Sequence, residues 1–369
     1  MMLPNKVILA LAALALLMAF PALADPISSR PFHMGFTGWP SDLTPEGART
    51  AQDFANAHGD IISVMFIGGI PWQEALDNKP FSKDVEEHLN YRAPAGKKLF
   101  LSISPLNADR TGMGPYWGEK DNLPLPPPWN GRALNSPDVK KAFLQFTLRA
   151  IKAMKPDYLA IGVESNVLLS HSPTLWKQLK ELHRETYLAV KKTYPTLPVF
   201  FTTEVLHYKK LATEAKDKDQ PGEVADLMHY SDLFAMSIYP HMSYDVPSPV
   251  PGDFLNFATT FKKPIAVSES GMTSRDVELK AFKLTLHGSE AAQKQFTELL
   301  LKTAARDHYS FVITFATTDF EKLCDKLPAP SNDLARIWAY TGMQTSDKQP
   351  KPALAVWDAY LKAAYSPRR

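Results

Sequence analysis

Two glutamates occupy matching places in the chain. Tyr158-Leu159-Ala160-Ile161-Gly162-Val163-Glu164-Ser165-Asn166 and Pro264-Ile265-Ala266-Val267-Ser268-Glu269-Ser270-Gly271 each run an apolar, β-branched stretch into a carboxylate. An acid at the end of such a run is costly to desolvate, so it needs a partner or a task. Two carboxylates facing each other across one opening can divide acid/base and nucleophile roles, provided that their surroundings push their pKa values apart. The competing reading is two separate structural ion pairs. Glu204, in Thr202-Thr203-Glu204, and Asp319 are further carboxylates that rank behind this pair.

Aromatic residues gather near the same ends. Of the 7 tryptophans, Trp39, Trp72, Trp117 and Trp129 follow the first three apolar runs. Indole rings stack on flat apolar surfaces such as the faces of sugar rings. As a group they point to a carbohydrate cleft, and His241, just after the sixth run, joins them as a binding candidate. Other chemistries lack their signatures: there is no dinucleotide fingerprint, Walker loop, H-E-x-x-H or G-x-S-x-G. The 10 histidines are scattered without ligand spacing, so neither a metal nor a cofactor is expected.

The elements that must position these residues repeat regularly. Eight short runs, Phe32 to Gly38, Ile61 to Ile67, Lys98 to Ser104, Tyr158 to Val163, Val199 to Thr203, Leu233 to Ile238, Pro264 to Ser268 and Phe311 to Phe315, alternate with longer helical stretches. Near-continuous Val, Ile, Leu and Phe suits parallel strands buried on both faces. The pattern predicts an α/β fold, a (β/α)8 TIM barrel, with its active face at the C-terminal ends of the strands. Ser136-Pro137-Asp138, Ser172-Pro173 and Ser289-Glu290 supply helix starts. The units spanning 71–91 and 207–230 are polar and weakly periodic. Residues 105–135, with their proline run, are too long for a plain connection and are expected to be functional.

Composition agrees with a folded enzyme or binding barrel. The 369 residues are 45% hydrophobic and 22% charged, enough for a large core. A net charge of +2 gives no electrostatic footprint for nucleic acid. Met1 to Lys6, the apolar run Val7 to Phe20, and Ala22-Leu23-Ala24 read as a cleaved signal peptide over 1–24. That leaves a single barrel over 25–369 without stable membrane insertion, periplasmic or secreted. Cys324 is the only cysteine, which excludes an intrachain disulfide.

With Glu at the ends of strands four and seven, the chain resembles the retaining glycoside hydrolases of clan A. Val267-Ser268-Glu269-Ser270-Gly271 is similar to the nucleophile segment of endo-β-1,3-glucanases, and the plan also resembles the arabinogalactan endo-β-1,4-galactanases. Ser237-Ile238-Tyr239-Pro240 looks like the strand-six segment whose tyrosine touches the nucleophile, and Lys351-Pro352-Ala353 with Trp357 like the closing segment. The resemblance implies Glu164 as acid/base, Glu269 as nucleophile, and a retaining hydrolase of β-linked poly- or oligosaccharide. Three departures stand out. Val163 occupies the place of the usual asparagine, leaving Asn166 as the nearest substitute for holding the sugar; strand two lacks its arginine; and Phe315 replaces a strand-eight tryptophan. A carbohydrate-binding barrel of the cell envelope that does not cleave is therefore the alternative.

Overall fold

Eight parallel strands form where the apolar runs predict them, as β1 (His33–Trp39), β2 (Ile61–Phe66), β3 (Lys98–Ile103), β4 (Tyr158–Ala160), β5, β6 (Phe234–Ile238), β7 (Ile265–Ser270) and β8 (Phe311–Ala316). Strand β5 is split by Phe201 into Val199–Phe200 and Thr202–Glu204. Its first piece pairs with β4 and its second with β6, so the hydrogen-bonded order closes on itself as a (β/α)8 barrel. This computed structural model describes residues 27–328 and 331–367; the expected signal peptide over 1–24 lies outside them. Among the described residues no helix is long and apolar enough to cross a membrane.

The barrel interior is layered. Ile61, Phe100, Ala160, Phe200, Ala235, Ala266, Phe311 and Ile313 form one buried cluster, with Phe100 and Phe200 stacked at 5.6 Å. Two residues further along, alternation turns Ser63, Ser102, Thr202 and Ser237 to the same inner side, all of them buried. The filling thus changes from hydrocarbon to hydroxyl toward the C-terminal ends. Gly35 permits closure on one side, because a Cβ there would meet the Ile61 carbonyl oxygen at 1.9 Å.

The outer layer follows the helix starts read from the sequence. Pro137–Met154 begins after Ser136, Pro173–Thr193 is capped by Ser172 through Leu175 N–H, and Glu290–Arg306 by Ser289 through Ala292 N–H. Each lays an apolar face on the barrel; in the first, Phe143, Phe146, Ala150 and Met154 are buried. The two weakly periodic units hold only short helices, Trp72–Asp77 and Lys83–Leu89 in one and Val205–Tyr208 and Gln220–Leu227 in the other. Cys324 is buried in the short helix Glu321–Cys324, where burial pushes its thiol up to about 11.

Candidate active site

Glu164 and Glu269 meet at the C-terminal mouth, and the inner face of β6 holds both. Ser237 Oγ donates to Glu164 Oε1 at 2.5 Å, and Tyr239 Oη donates to Glu269 Oε1. Ser237 and Tyr239 are alternate residues of one strand line, so the hydroxyls lie side by side on one face.

Backbone irregularities aim both acids. In β7, Val267 pairs with Met236 but Glu269 pairs with Ser237, which makes a bulge at Ser268. Ala266 points into the barrel, so strict alternation would send Ser268 inward and Glu269 toward the helices; the extra residue reverses this. Glu164 lies just beyond β4 in the left-handed region, with φ at 47°, and its N–H donates to Thr202 Oγ1 at 2.7 Å. A glutamate there is strained, a condition that collects at functional sites.

A cation completes the group. Arg110 reaches in from the segment after β3 and places Nη2 2.7 Å from Glu164 Oε2, with 16% and 13% of the two side chains exposed. Burial first, then the Glu164 charge, pushes Glu269 up to about 7, against the Tyr239 hydrogen bond and the Arg110 charge. Burial, followed by the charge of Glu269, drives the Tyr239 hydroxyl well above its ordinary range, so it stays a donor. Burial and the neighbouring charge thus favour the protonated form of Glu269, beside the Arg110–Glu164 ion pair.

The aromatic candidates divide. Trp39 is 38% exposed at the end of β1 and lies 5.4 Å from the Phe315 ring, which in turn meets Tyr239 edge-on. It thus occupies the region of the missing strand-eight tryptophan. Trp72, Trp117 and Trp129 do not reach the cleft: all are buried, and Trp72 stacks on Trp129 at 5.7 Å. Their indole N–H groups are spent on the Gly114 carbonyl, Asp84 and the Gln73 side chain. The long segment after β3 carries two of them to plug its own flank, because the short helices beneath it bury too little apolar surface alone.

Asn166 is fully buried and is not a sugar ligand. Its Nδ2 donates to the Glu204 carbonyl and to Gln220, and its Oδ1 accepts from Glu204 N–H, tying β5 to the turn after β4. His241 lies beneath Tyr239 with its rings 6.1 Å apart; Nε2 is bound to the Ile337 carbonyl, and burial lowers its pKa to about 4, so it cannot supply a charge. The reserve carboxylates are also committed. Glu204 accepts from the N–H groups of Leu206 and His207 and from His207 Nδ1. Burial opposes the charge on His207, but Glu204, Glu214 and Glu164 outweigh it and raise its pKa. Asp319 pairs with the buried Lys351 at 2.6 Å.

Sequence reasoning missed Arg110 and Ser237 as functional groups. The only available sign was their surroundings: Ser237 sits two residues before Tyr239 in the motif already singled out, and Arg110 lies in the overlong segment after β3.

Solved structures share this architecture. A GH5_18 protein from Streptomyces cattleya in complex with Manβ1-4GlcNAc superposes with a TM-score of 0.58 at 14% identity, over 91% of this chain and 83% of its own. The GH53 catalytic domain of Ignisphaera aggregans gives 0.54 at 16% identity, over 85% and 88%. An exo-β-1,4-mannosidase from Opitutaceae bacterium strain TAV5 gives 0.56 at 15% identity, over 90% of this chain, which spans only 59% of the mannosidase. At these identities the likeness speaks to the barrel alone. No curated protein matches the sequence. The model of glycosyl hydrolase family 53 matches residues 116–304, just over half of the chain. That stretch holds β4 to β7 with Glu164, Tyr239 and Glu269, the strands and side chains from which the site is built, and the chain belongs to glycosyl hydrolase family 53, in clan A.

Proposed function

We propose that the protein hydrolyses β-linked poly- or oligosaccharides by a retaining double displacement outside the cytoplasm. The observation that carries this reading is the pair of carboxylates fixed next to each other by two alternate hydroxyls, Ser237 in β6 and Tyr239 directly after it. Retention needs carboxyl groups roughly 5–5.5 Å apart, against ~6.5–9.5 Å for inversion. Residues two apart in a strand are separated by about 6.6 Å, and side chains converging from β4 and β7 onto such neighbours suit the shorter class.

In the working cycle Glu269 attacks the anomeric carbon while Glu164 gives its proton to the departing oxygen. Glu164 then takes a proton from the incoming water, and the glycosyl ester on Glu269 is released with the original configuration. Tyr239 holds the attacking carboxylate by its free side and stabilises its ionised form. Trp39 offers the exposed ring on which a sugar stacks. No residue of the cycle requires a cofactor.

An activated 2-deoxy-2-fluoro glycoside tests the assignment, since it forms the ester and hydrolyses slowly. Peptide mass mapping should find the label on Glu269. A label on Glu164 would reverse the two roles. Sugar binding with neither label nor turnover would favour the non-cleaving barrel. Export rests on residues 1–24, and intact mass of protein recovered from its native cell should give a chain beginning at Asp25.

A further inference from the structure

The barrel floor, at the pole opposite the mouth, carries an unbalanced charge. It is built from the turns that enter the strands and from the last turns of the outer helices. The acids of those turns are each matched by a cation: Asp60 by Arg30, Asp157 by Lys98, Asp232 by Lys191 and Asp307 by Arg306, at 2.6 to 2.8 Å. Further cations have no such match. Lys152, Lys155, Lys192 and Lys262 are exposed and form no ion pair among the described residues. Lys97 and Lys263 reach only backbone carbonyls, those of Asn56 and Gly59 and that of Ser231.

Part of this excess has a local cause. Lys152 and Lys192 stand in the last turns of Pro137–Met154 and Pro173–Thr193, where a cation offsets the helix dipole. Lys97 and Lys263 lie outside any helix, in turns that enter β3 and β7. Nor does the dipole account for the apolar surface among the lysines. Ile151, Tyr194, Leu197 and Pro198 line an open groove together with Lys152 and Lys155. Tyr365, 43% exposed, adds a ring to the same pole through its pairing with Arg30. A soluble polyanion needs the cations alone. Cations interleaved with apolar groups suit the boundary between headgroups and hydrocarbon, where lysine heads meet phosphates while their stems and the rings keep apolar contact.

We propose that the barrel floor is a docking surface for membranes rich in anionic phospholipid, held by adsorption of the lysine face without insertion. Charge complementarity names the occupant: headgroup phosphates supply the anions that the floor lacks. The proposal does not depend on the hydrolase reading. A net charge of +2 gives the whole chain no general attraction to such a surface, so binding arises from where the charge sits. Adsorption therefore has one orientation, with Glu164 and Glu269 on the far side. Each lysine close to an anionic surface should tighten binding roughly fivefold. Added salt should weaken it, because the reach of the attraction falls from about 10 Å at 0.1 M to ~3 Å at 1 M.

The test is co-sedimentation of the protein recovered from its native cell with vesicles of phosphatidylglycerol and phosphatidylcholine in equal parts, and with vesicles of phosphatidylcholine alone. The wild type should bind the anionic vesicles at least ~10-fold more tightly and leave them in about 1 M salt. Lys152→Gln, Lys155→Gln, Lys192→Gln and Lys262→Gln combined should weaken that binding by about 100-fold or more, with an unchanged melting curve. A second variant removes the same charge from the other pole. Lys120→Gln, Lys210→Gln, Lys283→Gln and Lys326→Gln, all exposed in the segments after β3, β5, β7 and β8, should together bind like the wild type. Equal binding to the two kinds of vesicle, or none to either, overturns the proposal, and so does equal loss in the two variants. Polyglutamate bound as tightly as the anionic vesicles at equal anion concentration would make the floor a polyanion site and overturn the assignment to lipid. The wild-type comparison needs no variant, so misfolding of either one cannot obscure it.

Discussion

Removing the Tyr239 hydroxyl should move the alkaline limb of the pH profile to higher pH and lower the rate below it. The hydroxyl donates to Glu269, whose pKa stands at about 7 because burial and the Glu164 charge outweigh that bond and Arg110. A hydrogen bond to a charged group contributes about 1.5–3 kcal/mol, and at 1.36 kcal/mol per unit its loss in Tyr239→Phe raises the acid by roughly 1–2 units. The sign follows from the shared proton: the cycle needs one proton on the pair, its loss leaves Glu164 with nothing to donate, so activity falls as pH rises through this limb, and the limb shifts upward. At pH 6 the wild-type pair holds its proton, and the variant, in which Glu269 keeps that proton more tightly against Glu164, should lose ~10- to 100-fold. The assay is log kcat/KM against pH on any substrate the wild type cleaves, with a melting curve to confirm folding. Because two carboxylates share the proton, the limb belongs to the pair. A limb that stays in place, with a rate at pH 6 within twofold of wild type, would refute the reasoning.

Glu269→Gln should be more stable than the wild type at high pH. The folded pKa of about 7 exceeds the ordinary 4.5, so the stability linked to this group is fully present below 4.5 and lost as pH rises through 7. The gap should approach ~3 kcal/mol above pH 8 and close by pH 5, as read by urea unfolding. Trp39→Ala should raise KM with little change in melting, whereas Trp129→Ala should cost about 3–5 kcal/mol of stability because it empties a packed site. Lys351→Met leaves Asp319 buried without its partner and should cost ~3–5 kcal/mol at pH 8. Burial, partly offset by Lys351, already lifts Asp319 to about 6, so protonation should shrink that loss at pH 5.

The barrel was legible because its information is local. Eight apolar runs mark strands buried on both faces, and seven of the strands lie within two residues of the predicted bounds at each end. Strand β4 is the exception: Ile161 to Val163 leave regular pairing to set up the strained turn at Glu164. Glu164, Glu269 and Tyr239 were legible as ends of strands, where a barrel must bring them together. What the pattern could not show was direction. The bulge at Ser268 that turns Glu269 inward is an extra residue with no compositional mark. Nor could tryptophan counts separate a ring that faces the cleft from one that fills a gap, since Trp39 and Trp129 both follow strands near the mouth. Asn166 failed for a related reason: its amide is consumed by Glu204 and Gln220, a pairing across 38 and 54 residues that no short motif records.

The two ends of the described chain meet at the opposite pole from the site. Ser29–Arg30 pairs in parallel with Ala364–Tyr365, Arg30 holds Asp60 at the entry to β2, and Tyr365 stacks on His33 at 4.2 Å. A segment continuing from either of these two strands therefore departs from behind the barrel floor. Attached to a bead, a surface or a carrier domain by either end, the protein would present its mouth outward to long polymers. Because the ends already touch, a short peptide could join them and the chain be reopened in a loop, moving the point of attachment around the barrel without disturbing the strands that carry Glu164 and Glu269.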